Sequence, residues 1–165
     1  MIEQQDDAAD TDTPGEAVPY RIRPYRGESN FVAGTWLRNY QSAPAVRHVD
    51  SDDYYKNHAK LVSKIIDRAT ILIAEHETLP GLYLGFIVGE RDQQGAVIHY
   101  VCVKSAYKRR GIGSALWDTL FAGMTLRSTL GTVRYSHARA PFTEIAGRRG
   151  WKYSPYPAFR LGFES

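Results

Sequence analysis

The stretch HYVCVKSAYKRRGIGSALWDTL, residues 99–120, decides how the rest of the chain reads. It begins in the manner of a strand, with Tyr100, Val101 and Val103, and ends in the manner of a helix, with Ile112, Leu116 and Leu120 on one face. Between them lies the basic turn Lys108-Arg109-Arg110-Gly111-Ile112-Gly113. A strand that feeds a helix through such a turn presents free backbone N–H groups and the positive end of the helix dipole, so the turn suits an anion. Three consecutive cations add side-chain charge, and the glycines let the backbone approach a phosphate closely. Two familiar nucleotide motifs fail on spacing: Gly113 is followed by Ser114-Ala115 and not by Lys-Ser/Thr, and a dinucleotide fingerprint would need glycine where Leu116 stands.

Working outward, the residues on the N-terminal side divide into a tail and regular elements. Residues 1–18 are acidic, contain Pro14-Gly15 and have few large apolar side chains, which predicts a disordered tail ahead of one domain over 19–165. YRIRPY alternates apolar and basic residues as a half-exposed strand whose arginines face water. Val32, Trp36 and Tyr40 then give a helix over 28–40 with Ser29 or Asn30 as cap. A second helix starts at Asp50 or Ser51, with Tyr54, His58, Leu61, Val62 and Ile65 on one face and an Asp52–Lys56 pair. ATILIAEHE, LYLGFIVGER and AVIHYVCVKS, joined by short turns, form an antiparallel meander. Beyond the central stretch come a strand in GTVRYSHAR, a helix opening at Pro141 and a final strand in WKYSPYPAFRLGF, the last able to close its own sheet or pair with a second copy as a homodimer. The result is a mixed α/β domain.

Charge narrows the partners. The chain of 165 residues has a net charge of +3, but six acids and no Lys or Arg fall within its first 20 residues. After them come 21 basic and 12 acidic residues, an excess of nine, which favours a polyanionic partner such as a nucleotide-bearing cofactor or nucleic acid. The single cysteine, Cys102, and the acidic start without an apolar run argue for a reducing cytoplasm. No apolar run approaches the ~20 residues of a membrane-spanning helix. His48, His58, His76 and His137 show no paired metal-ligand spacing, so no metal is expected.

The central stretch resembles the GNAT (Gcn5-related N-acetyltransferase) superfamily, whose signature Arg/Gln-x-x-Gly-x-Gly/Ala falls on Lys108, Gly111 and Gly113. Lys108 departs from the usual Arg or Gln and offers a point charge in place of a bidentate fork. The resemblance extends in element order from Tyr20 to the end. It implies a central, mixed and mostly antiparallel sheet flanked by about four helices, and direct transfer of acetyl from acetyl-CoA, or of another acyl group, to a primary amine without a metal. It further implies that Lys108, Arg109, Arg110, Gly111, Ile112, Gly113 and Ser114 hold the cofactor diphosphate, and that Val101, Cys102 and Val103 form the strand beside pantetheine. His99 stands twelve residues before Gly111, an offset matching a histidine proposed as a base in one superfamily member, and an ordinary imidazole titrates near neutrality. The other reading of His99 is a satisfied core histidine.

The family's acid is a tyrosine four residues before a Gly-Phe pair. Here the pair is Gly150-Trp151 and the counterpart is Ala146, so another phenol substitutes (Tyr107, Tyr135, Tyr153 or Tyr156, with Tyr153 preferred) or solvent does. Cys102 and Tyr100 are expected on the strand face opposite His99, with the thiol a buried structural group. Trp36, Tyr40, Tyr54, Tyr55 and His58 read mainly as core. If exposed beside Arg38, Arg47, Lys56 and Lys60, they would suit a planar or nucleic-acid acceptor. SNFVAGTWLRNY together with HYVCVK is similar to small bacteriophage members of the superfamily, which adds an amine on a DNA base as an alternative acceptor. A non-catalytic CoA-binding module is the remaining alternative, favoured by Ala146.

Overall fold

The computed structural model describes residues 17–124 and 133–159; the disorder expected for 1–18 falls, apart from residues 17 and 18, outside them. Six strands form one sheet in chain order: β1 (Tyr20–Pro24), β2 (Thr70–His76), β3 (Tyr83–Asp92), β4 (Gly95–Val103), β5 (Arg134–Tyr135) and β6 (Lys152–Tyr153). The first three pairings are antiparallel, as the short turns of the meander require, and the last two are parallel, as their helical crossovers require. Among the described residues four α-helices accompany the sheet: α1 (Ser29–Tyr40), α2 (Ser51–Arg68), α3 (Ile112–Gly123) and α4 (Phe142–Arg148). The expected α/β architecture is therefore present. No helix among the described residues is long and apolar enough to cross a membrane.

Each sheet face buries its own core. Val32, Trp36 and Tyr40 of α1 and Tyr54, Val62 and Ile65 of α2 pack on Ile73, Phe86, Val88 and Tyr100. On the other side Ile112, Leu116, Trp117 and Leu120 of α3 and Ala146 of α4 cover Leu84, Ile87 and Ile98. The i, i+4 stripes read from the sequence thus define the buried faces, and Trp36, Tyr40 and Tyr54 belong to the core while Tyr55 is exposed. Asp50 caps α2 by accepting from the backbone N–H groups of Asp52 and Asp53.

Several expectations need correction. Arg23 does not face water: it is buried, and its guanidinium donates to Glu75 at 3.0 Å and to Glu28 at 2.6 Å, while Arg21 reaches the same Glu75 oxygen at 3.0 Å. Sequence alternation cannot reveal a buried carboxylate 52 residues away. The N-cap of α1 is Glu28 and not Ser29 or Asn30, and no side chain closes the cap because that carboxylate serves Arg23 and the Arg26 N–H. The Asp52–Lys56 pair is not formed; the Asp52 carboxylate stays in solvent at the helix start, where the dipole already favours it. Within the described part of the final segment the strand is the two residues of β6, because Pro155 and Pro157 remove ladder donors and the chain turns into a short 3-10 helix at Tyr156–Phe159; the expectation for residues 160–163 lies outside the described residues.

The most consequential correction lies in β4. Val88 pairs with Tyr100 but Gly89 pairs with Ile98, so His99 is an extra residue in a β-bulge. A bulge reverses the alternation downstream. Tyr100 and Cys102 share a face, as expected, but it is the α1–α2 face toward which the hydrogen bonds of His99 also run. Gly89 permits this close packing, since a Cβ there would stand 2.6 Å from a Leu120 methyl and 2.9 Å from the Val97 carbonyl oxygen.

Candidate active site

β5 leaves β4 immediately after the bulge. The two strands pair only at Val97–Arg134 and Ile98–Tyr135, and Ser136 N–H makes a last bond to the Ile98 carbonyl at 3.0 Å. Beyond that fork, a cavity of about 990 Å³ opens along Val101, Cys102 and Val103. Its floor continues into the turn: Lys108, Arg109, Gly111, Ile112, Gly113 and Ser114 all line it. Gly111 has φ +78° and precedes the first residue of α3, a left-handed conformation that glycine adopts without strain. The turn is thereby wound so that the start of α3 faces the cavity, which is the geometry of an anion cradle. Arg110 does not line the cavity; its guanidinium lies over the Tyr107 ring at 5.8 Å.

The opposite wall is built by α1 and by the segment after β5. Thr35, Arg38 and Asn39 come from α1, and His137, Arg139 and Ala140 from beyond Ser136. Basic side chains dominate the lining, with Arg38, Lys104, Lys108, Arg109, Arg139 and Arg148 against one acid, Glu144. The buried indole Nε1 of Trp117, which also lines the cavity, has no hydrogen-bond partner. Cationic turn, open strand edge and orphaned donor together fit a ligand that carries phosphates at one end and a polar, extended arm at the other.

Cys102 lines this cavity and is half-buried, so it is not the enclosed core thiol expected. Its sulfur accepts from Asn39 Nδ2 at 3.6 Å, and burial pushes the thiol pKa up, which disfavours a nucleophilic thiolate. Of the four phenols expected as acid, Tyr107 alone lines the cavity. Tyr153 is 47% exposed on β6 and packs on the Tyr135 ring, Tyr135 is buried against Phe142, and Tyr156 is fully out in solvent. Ala146 is enclosed in the α4 contact with the sheet.

His99 is 1% exposed and does not line the cavity. Its Nε2 lies 3.0 Å from Glu90 Oε1 and its Nδ1 2.7 Å from Ser136 Oγ. Ser136 Oγ is 2.8 Å from His137 Nδ1, and His137 Nε2 is 3.1 Å from His58 Nε2. His58 in turn stacks between Tyr40 and Tyr54. Burial lowers the pKa of His58 to about 4 and that of His137 well below the ordinary imidazole range, so both rings are neutral at pH 7. Burial alone would raise the Glu90 carboxyl, but hydrogen bonds from His99 and Arg68 hold it down at about 2. Sequence reading singled out His99 and missed Glu90, Ser136 and His137. The glycine opposite the bulge, Gly89, was the available signal that the strand is irregular there.

Residues 67–144, just under half of the chain, match the model of the acetyltransferase (GNAT) domain. Among solved structures, a Pyrococcus furiosus protein described as an acetyl transferase superposes with TM-score 0.61 at 18% identity, covering 88% of this chain and 98% of that one. A GCN5-related N-acetyltransferase of Rhodopseudomonas palustris gives 0.54 at 22% identity over 82% of each chain. The ribosomal-protein-alanine N-acetyltransferase of Brucella melitensis gives 0.51 at 19% identity, covering 79% of this chain and 89% of that one. At these identities the likeness is one of fold. No curated protein matches the sequence.

Proposed function

We propose that this chain, whose residues 67–144 match the acetyltransferase (GNAT) domain and whose fold is like that of solved acetyltransferases, is a transferase that moves an acetyl group from acetyl-CoA to a primary amine by direct attack. The observation that carries the reading is the single cavity that runs from the Gly111 turn along the open edge of β4 to His137. Bound acyl-CoA would supply an activated thioester. Lys108 and Arg109, with the backbone N–H groups at the start of α3, would neutralise and orient its diphosphate. The edge of β4 at Val101–Val103, released by β5, would hold the arm that leads to the thioester and aim an N–H at its carbonyl. Tyr107 takes the role of proton donor to the leaving sulfur in this reading, since Tyr153 stands outside the cavity. The reaction belongs in the reducing cytoplasm that a lone, cavity-facing thiol favours.

Calorimetry tests the cofactor claim directly. Acetyl-CoA binds the wild-type chain, and Gly111→Trp combined with Arg109→Glu abolishes the heat while the fold, followed by circular dichroism, persists. Binding that survives both changes would overturn the cradle. Thiol release from acetyl-CoA across polyamines, amino acids, peptides and amino-modified nucleosides then separates a small-amine acceptor from a nucleobase, and separates both from a binding module without turnover.

A further inference from the structure

We infer that Glu90, His99, Ser136 and His137 form a buried proton relay in which His137 takes the proton of the acceptor amine and His99 stores it against Glu90. The inference rests on the acyl-transfer reading above and adds to it the route of the proton. The sequence-level candidate, His99, is closed off from the cavity, whereas His137 lines it and is joined to His99 through one hydroxyl.

The resting polarity of the proposed relay follows from the Glu90 carboxylate at one end and a neutral His99 beside it. The Glu90 carboxylate only accepts, so His99 Nε2 carries a proton and donates to it at 3.0 Å. In the proposed resting state the ring of His99 is neutral, so Nδ1 has a lone pair to which Ser136 Oγ donates at 2.7 Å. With its proton committed, that oxygen accepts from His137 Nδ1 at 2.8 Å. His137 Nε2 is left with a lone pair, and its resting partner is His58 Nε2–H at 3.1 Å. A cationic His99 would reverse both bonds of Ser136 and put the proton of His137 on Nε2, so the ring tautomers of His99 and His137 decide the polarity of the chain.

That polarity makes the relay ready to take a proton at its cavity end. An alkylammonium acceptor in the cavity breaks one N–H bond as His137 Nε2 gains the proton in place of the His58 contact. The proton on His137 Nδ1 passes to Ser136 Oγ, and the hydroxyl proton of Ser136 passes to His99 Nδ1. The products are a neutral amine able to attack and an imidazolium at His99 beside the Glu90 carboxylate, so charge moves inward and one proton is conserved. Reversal of the same shift returns the proton to the cavity after acyl transfer. Among the described residues, the titratable and charged groups facing the relay are Glu90 on β3, Arg68, Tyr54 and His58 on α2, Tyr40 on α1, Tyr100 on β4 and Arg139 after β5. Arg68 fixes Glu90 from outside, donating at 3.1 Å, which keeps the carboxylate charged.

Nitrogen-15 NMR of the histidine rings in the full chain, together with pH–rate profiles, tests this. The expected tautomers are Nε2–H for His99 and Nδ1–H for His137. Ser136→Ala and His137→Asn should lower kcat by about 100-fold, in the range of general base catalysis, with acetyl-CoA affinity unchanged. Ser136→Thr, which keeps the hydroxyl, should restore turnover, a rescue that a merely structural role would not need. Glu90→Gln should move the acid limb of the kcat profile to lower pH, because His99 loses the charge that raises its proton affinity. A His99 Nδ1–H or His137 Nε2–H tautomer overturns the relay whatever the turnover. Full turnover in Ser136→Ala and His137→Asn overturns it while leaving the acyl-transfer reading intact. Failure of the wild-type chain to acetylate any amine overturns that reading and the role of the relay with it.

Discussion

Glu75, buried, and Glu90, partly buried, are both carboxylates of the central sheet, both held at about 2, and they differ in what holds them. Glu75 accepts from Arg23, from the Gly81 N–H and from Arg21, so every partner carries a fixed proton and the network has one state. Glu90 accepts from one arginine and one imidazole, and the imidazole leads through Ser136 to a cavity. The first arrangement can only stabilise. The second has a partner that gains and loses protons, so the same depressed carboxyl becomes part of a chain that moves charge. The lesson is that a strongly perturbed carboxyl marks a functional site only when its partners can titrate and reach a ligand.

Removing each carboxylate in turn breaks the comparison cleanly. Glu75→Gln leaves the Arg23 guanidinium buried with Glu28 alone, and breaking a buried ion pair costs about 3–5 kcal/mol; urea unfolding should show the lower part of that range while the pH dependence of kcat stays as in the wild-type chain. A shifted pH profile in Glu75→Gln would merge the two networks. Glu90→Gln should cost less, about 1.5–3 kcal/mol for a hydrogen bond to a charged group, because Arg68 retains bonds to the carbonyls of Pro157 and Ala158. Its pH profile is the one expected to move.

The contrast also explains what was legible in the sequence. The cofactor turn is local: Lys108, Gly111, Gly113 and the α3 stripe lie within a few residues of one another, and each acts through backbone geometry that residue type dictates. The α1 and α2 stripes, the meander and the Asp50 cap are legible for the same reason. Neither carboxylate network is. Arg23 meets Glu75 across a strand pairing, and the relay draws on β3, β4 and the segment after β5, so the groups are distant in sequence. The bulge at His99 hides the relay further, because strict alternation turns His99 away from Tyr100 and Cys102 when the inserted residue brings its bonds to their side. Among the described residues β5 and β6 are shorter than the strand patterns around them, because β-propensity does not report where a sheet must open to admit a ligand.

Acid titration of stability gives the smallest and sharpest separation. A neutral, partly buried His58 has a folded pKa of about 4 against an ordinary value of 6.5, so it contributes stability in full above pH 6.5 and loses it as pH falls toward 4. Glu75, held at about 2 against 4.5, loses its contribution only in the next window, as pH falls from 4.5 toward 2. Unfolding free energy measured from pH 7 downward should therefore fall in two stages, the upper one from His58 and the neighbouring His137 and the lower one from the arginine-bound carboxylates Glu75 and Glu90. His58→Phe keeps a ring between Tyr40 and Tyr54 and should flatten only the upper stage, by about 1 kcal/mol once the partial exposure of the imidazole is allowed for. Glu75→Gln should reduce only the lower one, leaving the share that Glu90 contributes. A single stage that either substitution removes would mean that the two networks exchange charge through the sheet, and the division between a fixed and a movable carboxylate would fail.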